Sequence, residues 1–205
     1  LLREIVGEPS SRISLVSPYF VPSAEAVDVF GGWAGQGIRV EILTNSLEAT
    51  DVAAVHAGYA KRRRDLLDAG VKLFELRRMA PGVRRDRDAL SLGSSSASSL
   101  HAKTFAVDHA RVFVGSFNFD PRSVTLNTEM GFVIDSPALA RRVHDAFDQG
   151  VPEDAYRVML AGDGRLAWEE KQENGTVRHD SEPGTTAWQR FMVWLLSLLP
   201  IDALL

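Results

Sequence analysis

The sequence contains 205 residues, with 23 Lys and Arg residues against 27 Asp and Glu residues and a formal net charge of −4. This length is sufficient for one sizeable domain with a hydrophobic core, or for one domain with an extension. The negative charge argues against a general nucleic-acid-binding protein, which normally has a clear basic excess. There is no cysteine, which excludes disulfide frameworks, thiolate metal sites and cysteine nucleophiles.

The start of the sequence is unlike the start of a complete protein. Its first residue is Leu1 rather than Met, and residues 1–16 lack the basic start, apolar middle and small-residue cleavage site of a signal peptide. We therefore expect the sequence to be the interior of a longer chain, whose N-terminal part lies before Leu1.

The first part of the sequence predicts two successive β-α-β units. β-forming residues predict the strands, and helix formers that end at a glycine predict the helices between them. The alternation favours a mixed α/β sheet with helices packed on it. Thr50-Asp51 is the expected start signal of the second helix. We expect strands at residues 13–22, 38–45 and 71–76, and helices at residues 23–37 and 50–69.

Residues 77–99 interrupt this alternation. They contain several arginines, show no hydrophobic periodicity and end in a run of Gly and Ser. These properties predict a mobile surface loop. Its arginines either guide an anionic substrate or belong to a solvated linker, and the sequence leaves both alternatives open.

The remainder predicts further strands, a helix and a C-terminal extension. Ser136-Pro137 is a helix-start signal, and the helix that it opens is expected to end near Gly150. Beyond it, Gly-Asp-Gly and Asn-Gly turns predict short hairpins. We therefore divide the chain into a half-domain at residues 1–150 and an extension at residues 151–205. The strands before the helix are expected at residues 100–108, 110–118 and 129–135.

Residues 191–205 form an almost wholly apolar C-terminal segment. A helix that crosses a bilayer needs about 20 apolar residues, so this segment is too short to span one cleanly. It either lies in the membrane interface, where Trp188 and Trp194 suit the headgroup level, or packs as a helix on this domain or on a preceding one. Both alternatives stay open.

A cluster of residues suited to phosphoryl transfer follows the arginine-rich segment. His101, Lys103 and Asp108 stand as H-x-K-x4-D, and Ser116 and Asn118 follow in GSFN. An imidazole can attack phosphorus or protonate a leaving oxygen, and an ammonium group with polar donors can hold the other phosphate oxygens. In a strand, His101 and Lys103 point to one side, so neighbouring strands would bring both pairs onto one sheet surface.

Two carboxylates near this cluster have different expected roles. Asp108 is at odd spacing from His101, so in a strand it faces away and is expected to bond to backbone or to a basic group. Glu129, in the segment NTEMG, is expected to accept Nδ1–H of His101 and to direct Nε2 toward the reacting atom.

Three residues outside the cluster carry smaller expectations. His56, in a predicted helix that also contains KRRR, is interpreted as a solvated or capping histidine, with contact to a lipid headgroup as the alternative. Asp120 and Arg122 follow the Asn118 strand and are expected to shape the adjacent turn through a local salt bridge.

The combination resembles the phospholipase D superfamily, whose pattern is H-x-K-x4-D, then G-S-x-N, then a downstream glutamate. The sequence matches this pattern at His101, Lys103, Asp108, Gly115, Ser116, Asn118 and Glu129. The segments SPYFVP, RVEILTNS, HAGY, NFDPRS and NTEMG further resemble the C-terminal half of bacterial cardiolipin synthases.

The resemblance implies a phospholipase D-type mixed β-sheet flanked by helices, which is one half of a pseudo-two-fold pair, with a C-terminal extension that contains an apolar helix. In this superfamily two such motifs flank one phosphorus without a metal ion or another cofactor. One histidine forms a phosphohistidine, while the other protonates the leaving alcohol and then activates the acceptor. The resemblance assigns His101 this acid/base role, and it places Tyr19, Ser116 and Asn118 at the substrate phosphate.

The implied function is phosphatidyl transfer of the cardiolipin synthase type, by an enzyme that is inactive as the isolated fragment. The partner half-site comes from a missing N-terminal half of the same chain or from a second copy. Phospholipid and a membrane surface are the other expected partners, at the cytoplasmic face of the bacterial inner membrane, and nucleic acid is not expected. The alternatives are a single-motif homodimeric phosphodiesterase or nuclease, and a non-catalytic membrane-docking half.

Overall fold

The computed structural model describes residues 7–78 and 100–199, and these residues form one nine-stranded sheet with helices on its faces. The strands are β1 Arg12–Val16, β2 Arg39–Asn45, β3 Lys72–Leu76, β4 Thr104–Val107, β5 Arg111–Gly115, β6 Gly131–Asp135, β7 Ala155–Leu160, β8 Leu166–Gln172 and β9 Gly175–His179. The helices are α1 Ala24–Gly35, α2 Ala53–Asp68, α3 Pro121–Thr125, α4 Pro137–Asp145, α5 Val151–Asp154 and α6 Ala187–Ser197, with a π-helical turn Ala146–Gly150 before α5.

The strand order is β6-β5-β4-β1-β2-β3-β7-β8-β9. β1, β2 and β3 are parallel to one another, and the other neighbouring pairs are antiparallel. Parallel neighbours require a crossover connection, which α1 and α2 provide. The predicted mixed α/β sheet and its two β-α-β units are therefore confirmed.

Each face of the sheet has its own hydrophobic core. Helices α1 and α2 cover one face, where Phe30 and Trp33 pack with Leu15 and Phe105. Helix α4 and the π-helical turn cover the other face, where Phe147 packs with strand residues of opposite parity such as Val16. Because successive strand residues point to opposite faces, both covered faces require the nearly continuous apolar strands seen in the sequence.

Most helix starts agree with the sequence. Ser23 caps α1 by accepting a hydrogen bond from Ala26 N, and Ser136 caps α4 ahead of Pro137. The start of α2 was predicted wrongly, because this helix begins at Ala53 and its N-cap Val52 provides no side-chain hydrogen bond.

The C-terminal extension continues the same sheet beyond β3. Strands β7, β8 and β9 are joined by turns at residues 161–165 and 173–174, so the two predicted hairpins are confirmed. Helix α6 then packs on α2, with Val193 against Leu47 and Ala57. No helix within the described ranges is long and apolar enough to cross a membrane. The predicted loop at residues 77–99 lies outside the described residues, apart from Arg77 and Arg78.

A buried ion network holds the segment before α6 against α2. Arg63 contacts Glu75 at 3.1 Å and Glu182 at 2.7 Å, and His56 Nε2 lies 3.1 Å from Glu182. Burial alone would raise the pKa of Glu182, but Arg63 and His56 hold it at about 2. His56 is 2% exposed, so the interpretation of a solvated or capping histidine was wrong. A side chain in this position is buried because it completes a charged network between distant segments.

Candidate active site

The phosphate-suited residues collect where several strands end. β4 runs antiparallel to both β1 and β5, with Thr104 opposite Val16 on one side and Val114 on the other. The start of β4 therefore lies beside the carboxyl ends of β1 and β5. We refer to the carboxyl ends of β1, β2 and β5, with the residues before β4, as the site edge.

His101 and Lys103 lie just before β4 rather than within it, so their predicted strand placement was wrong. Other contacts fix this segment: Leu100 N donates to Asn45 Oδ1 at 2.9 Å, and Gly115 N donates to the carbonyl oxygen of Lys103 at 3.2 Å. His101 is exposed and Lys103 is half-buried. Anchoring to β2 and β5, rather than strand alternation, brings these side chains to the site edge.

Ser116 and Glu129 are bound to each other beside this segment. Ser116 Oγ donates to Glu129 Oε2 and accepts from Met130 N at 3.0 Å, while Asn127 Nδ2 donates to Glu129 Oε1 at 3.4 Å. Within the described residues no hydrogen bond joins Glu129 to His101. Burial raises the pKa of Glu129, but the hydrogen bonds and the nearby Lys103 ammonium outweigh it and lower the pKa. Glu129 is therefore an ionised carboxylate next to the Lys103 ammonium.

The approach of β5 to β6 requires glycine on both strands. Gly115 faces Gly131 in the register, and a Cβ at Gly115 would lie 2.5 Å from the Met130 carbonyl oxygen and 2.8 Å from the Phe113 ring. Such distances are shorter than any side chain tolerates, so an alanine there would push the strands apart. The glycine of the GSFN motif thus allows Ser116 to reach Glu129.

Three polar side chains at the site edge have no partner among the residues described. No hydrogen bond or ion pair to a described residue involves the side chains of His101, Lys103 or Asn118, and Asn118 Oδ1 is buried. Burial lowers the pKa of Lys103, against the opposing effect of Glu129 and Asp120. The Lys103 ammonium, the Asn118 amide N–H group and an imidazole N–H of His101 are donors, so this set is suited to an anionic ligand that supplies acceptor oxygens.

The segment after β1 forms the neighbouring wall of the site edge. Ser17 Oγ donates to the carbonyl oxygen of Tyr19 and accepts from Phe119 N, which ties this segment to the turn that carries Asn118. The Tyr19 hydroxyl donates to Asp51 at 3.1 Å. Tyr19 therefore borders the site edge, but its hydroxyl proton is already engaged.

Asp120 has a role that the sequence interpretation missed. It caps α3 by accepting from Ser123 N at 2.8 Å, and no ion pair joins it to Arg122 in the described ranges, so the predicted local salt bridge was wrong. Burial raises the pKa of Asp120. The signal was present, because Asp followed by Pro121 is a helix-start pattern.

Asp108 lies at the opposite end of β4 from Lys103. Five residues of extended chain separate them by about 16 Å, at roughly 3.3 Å per residue. The Asp108 carboxylate accepts from the backbone N–H groups of Ser10, Ser11 and Arg12 at 2.8–3.2 Å. Burial would raise its pKa, but these hydrogen bonds hold it at about 2. The expected backbone-bound place of Asp108 is confirmed, and this carboxylate does not reach the site edge.

One cleft of the described residues lies away from the site edge. It has a volume of about 290 Å³ and is lined near the starts of β2 and β3 by Arg39, Glu41, Lys72 and Asp148, among others. Arg39 forms ion pairs there with Glu41 and Asp148, so these charged side chains of the cleft already have partners. In the described part of the chain, no three His, Asp or Glu side chains form a group that could hold a metal ion.

Comparisons with known proteins identify the family of this chain. Residues 2–151 match the family described as cardiolipin synthase, PLD-like domain. Cardiolipin synthase C of Escherichia coli (strain K12) is 45% identical over 206 residues, which cover 100% of this chain and 43% of that protein. The chain thus spans less than half the length of this curated relative.

Two solved structures show the same fold at low sequence identity. Phosphatidylserine synthase of Haemophilus influenzae Rd KW20 superposes with a TM-score of 0.60 and 13% identity, over 99% of this chain and 43% of that one. Nuc, a phospholipase D family member from Salmonella typhimurium, superposes with a TM-score of 0.55 and 18% identity, over 77% of this chain and 88% of that one. The likeness supports the predicted fold class.

Proposed function

The chain belongs to the family of phospholipase D-like domains of cardiolipin synthases, and we propose that it supplies one half of a phosphatidyl-transfer site in which His101 is the general acid and base. One observation carries the proposal: His101, Lys103 and Asn118 meet at the site edge without partners among the described residues. A phosphodiester offers acceptor oxygens for the ammonium and amide groups and a leaving oxygen for the imidazole.

In the proposed reaction, a histidine of the partner half attacks the phosphorus of a phospholipid. The bond between phosphorus and the leaving alcohol oxygen breaks, and protonated His101 donates its proton to that oxygen. Neutral His101 then removes the proton of the acceptor alcohol, whose oxygen attacks the phosphohistidine and releases the partner histidine. Lys103 and Asn118 hold the non-bridging oxygens, whose charge grows in each transition state.

We further propose that Glu129 positions an imidazole in the assembled site. Its Oε1 accepts a long hydrogen bond of 3.4 Å from Asn127, and a carboxylate oxygen can accept a further N–H. Ser116 fixes the other carboxylate oxygen. A carboxylate held in this way stabilises an imidazolium and fixes its ring orientation.

The partner half is proposed to dock on the surface around β6. This β6 surface consists of the exposed apolar side chains Val114, Leu126, Met130, Phe132 and Val133. β6 is also the outer strand at this end of the described sheet, so its backbone has one unpaired edge. An exposed apolar patch beside an unpaired edge is typical of a protein–protein interface. Because Ser116 and Glu129 adjoin β6, a partner bound there reaches the site edge.

The test is phospholipid conversion by the natural full-length protein. Vesicles of phosphatidylglycerol and phosphatidylethanolamine are incubated with the protein, and products are separated and identified by mass spectrometry. We expect a new phospholipid to form, and we expect His101→Ala to abolish its formation because the leaving alcohol loses its proton donor. If the protein converts neither lipid but cleaves nucleic acid in a His101-dependent way, the nuclease alternative replaces this proposal. Unchanged function in His101→Ala would indicate a docking half without catalysis.

A further inference from the structure

Helix α6 has two apolar faces, of which only one packs on the described residues. Val193 is buried against Leu47 and Ala57 of the segment that leads into and forms α2, and Leu196 packs partly on the same cluster. A capping box of Thr186 and Gln189 fixes the start of the helix. Helix α6 is therefore firmly seated on the domain through one face.

The opposite face of α6 is an exposed apolar stripe. We define the α6 stripe as Trp188, Phe191, Trp194, Leu195 and Leu198. At 100° per residue these side chains cover an arc of about 120°, and the arc contains no polar residue. The rings of Trp188, Phe191 and Trp194 form a continuous row with centroid distances of 5.7 and 5.8 Å. Trp188 is 67% exposed and Trp194 is 56% exposed, which is unusual for the largest apolar side chains.

The α6 stripe lies far from the surface proposed for the partner half. Helix α6 packs on α2, which contacts β3 and β7, whereas the β6 surface is at the end of the sheet. Five strand spacings separate β3 from β6, or about 24 Å at roughly 4.8 Å per spacing. A partner half on the β6 surface therefore leaves the α6 stripe as a second, separate surface.

The chemistry of the stripe and its surroundings favours a lipid surface. Residues 183–199 contain Arg190 and no acidic residue, in a chain whose net charge is −4. Lys61 and Arg64 are exposed on α2 next to the residues that pack on α6, and the nearby Asp65 lies 3.9 Å from Arg62. Indole rings prefer the headgroup level of a bilayer, and basic side chains beside them favour anionic lipids.

The loop after β2 connects α6 to the wall of the site edge. Leu47 and Asp51 lie in one loop after β2; Leu47 packs against Val193, whereas Asp51 accepts the Tyr19 hydroxyl. One short loop thus joins the underside of α6 to the rim of the site edge. An α6 stripe that lies in the membrane interface keeps the site edge near the lipid headgroups.

We infer that the α6 stripe docks the protein on an anionic phospholipid bilayer, with α6 parallel to the membrane plane and the site edge close to the headgroup layer. Helix α6 does not span the bilayer. Its aromatic row enters the interface, while Val193 and Leu196 keep the helix attached to the domain. The orientation of the site edge rests on the proposed function, whereas membrane binding is measurable without turnover.

The test is flotation of the natural full-length protein with vesicles of phosphatidylglycerol and phosphatidylethanolamine. We expect the triple variant Trp188→Ser, Phe191→Ser, Trp194→Ser to bind with an apparent affinity lowered at least about tenfold, because apolar area that entered the interface is lost. Val177→Ser is the control, since it removes an exposed apolar side chain of β9 that belongs neither to the α6 stripe nor to the β6 surface. This control should bind vesicles as the natural protein does.

A second measurement avoids the risk that the triple variant misfolds. Bromine-labelled lipids quench tryptophans that enter the bilayer, and Trp33 and Trp168 are buried at 1% and 4% exposure. We expect quenching in the natural protein that is reduced in the conservative variant Trp188→Phe, Trp194→Phe. Absence of that quenching, or vesicle binding by a folded triple variant at natural affinity, would overturn the inference.

The proposed function and this inference fail in different ways. His101→Ala should lose phosphatidyl transfer but retain vesicle binding, because His101 lies outside the α6 stripe. A protein that binds vesicles through the stripe but transfers no phosphatidyl group would refute only the proposed function. If the triple variant instead dissociates an assembly and keeps its vesicle binding, the stripe is a protein interface and the inference is wrong.

Discussion

The two ends of β4 differ in almost every physical respect, although one short motif supplies both. At the site edge, His101 and Lys103 precede the strand, and their side chains have no hydrogen bond or ion pair to another described residue. At the other end, Asp108 accepts hydrogen bonds from three consecutive backbone N–H groups and two Ser hydroxyls. One end keeps its polar groups available for a ligand, and the other end uses them to hold the fold.

The H-x-K-x4-D motif thus has its two basic residues at the site edge and its carboxylate at the end of β4 that stabilises the fold. The backbone positions of Lys103 and Asp108 are about 16 Å apart along the strand, so the carboxylate acts on the position of β4 rather than on substrate. His144 adds to the same end, because its Nε2 lies 2.5 Å from the Asp108 carbonyl oxygen and its Nδ1 lies 2.8 Å from Ser14 Oγ. The end of β4 that carries Asp108, which we call the fixed end, holds β4 in register with β1. It thereby also sets the position of the start of β4 at the site edge.

The largest expected effect is on turnover at the site edge. Lys103→Met keeps the length of the side chain but removes the ammonium that is proposed to hold the phosphate oxygens. We expect kcat/KM for phosphatidyl transfer to fall by about 10²–10³-fold, since that is the cost of removing one such donor. The free energy of unfolding, measured by urea denaturation, should fall by less than about 0.5 kcal/mol. A large loss of stability would show that Lys103 supports the fold instead.

A smaller effect, on the free energy of unfolding, is expected from Gly115→Ala, which tests the close approach of β5 to β6 beside Ser116. The new Cβ would meet the Met130 carbonyl oxygen at 2.5 Å, and such overpacking costs about 1–3 kcal/mol. Gly32→Ala is the matched control, because a Cβ at Gly32 in α1 meets nothing within 4 Å. Urea denaturation should show a gain of about 0.5–1 kcal/mol for Gly32→Ala. Equal effects of the two substitutions would contradict the close-approach explanation.

The smallest effect, again on the free energy of unfolding, is expected at the fixed end of β4, and it depends on pH. Asp108→Asn keeps the shape of the side chain and tolerates the φ of +50° at this position, so it isolates the charge. We expect a loss of about 1–2 kcal/mol in unfolding free energy at neutral pH, with kcat/KM lowered only slightly.

The pH dependence of the stability follows from the direction in which folding shifts the pKa of Asp108. The pKa of Asp108 is lowered from 3.8 to about 2 in the folded protein, so its stabilising effect is complete above the unfolded value and is lost as the pH falls. The stability difference between the natural protein and Asp108→Asn should therefore close between about pH 4 and pH 2. A difference that does not change with pH would mean that the charge of Asp108 is unimportant.

Local patterns in the sequence predicted most of the fold. Ser23 and Ser136-Pro137 cap the helices that they predict, and the Gly-Asp-Gly and Asn-Gly turns join the predicted hairpins. These signals act within a few residues, because a cap or a tight turn is decided by its own side chain and its nearest backbone groups.

Two of the errors concern contacts between residues that are far apart in sequence. The segment with His101 and Lys103 is anchored through Leu100 to Asn45, which is 55 residues away, and His56 is buried by Glu182, which is 126 residues away. Neither contact produces a periodic pattern in the amino-acid sequence. The motif thus identified the residues of the site edge, but strand alternation was the wrong reason for their meeting there.

The central claim is that His101 protonates the leaving group, and the dependence on that leaving group tests it most directly. First-turnover release is measured for His101→Ala and for the natural full-length protein, with phosphatidylglycerol and with a phosphatidyl ester of p-nitrophenol. Nitrophenolate leaves without protonation, so we expect the variant to lose at least about 10³-fold with phosphatidylglycerol but less than about tenfold with the ester. Equal losses with both substrates would contradict the account, since they would make His101 the nucleophile.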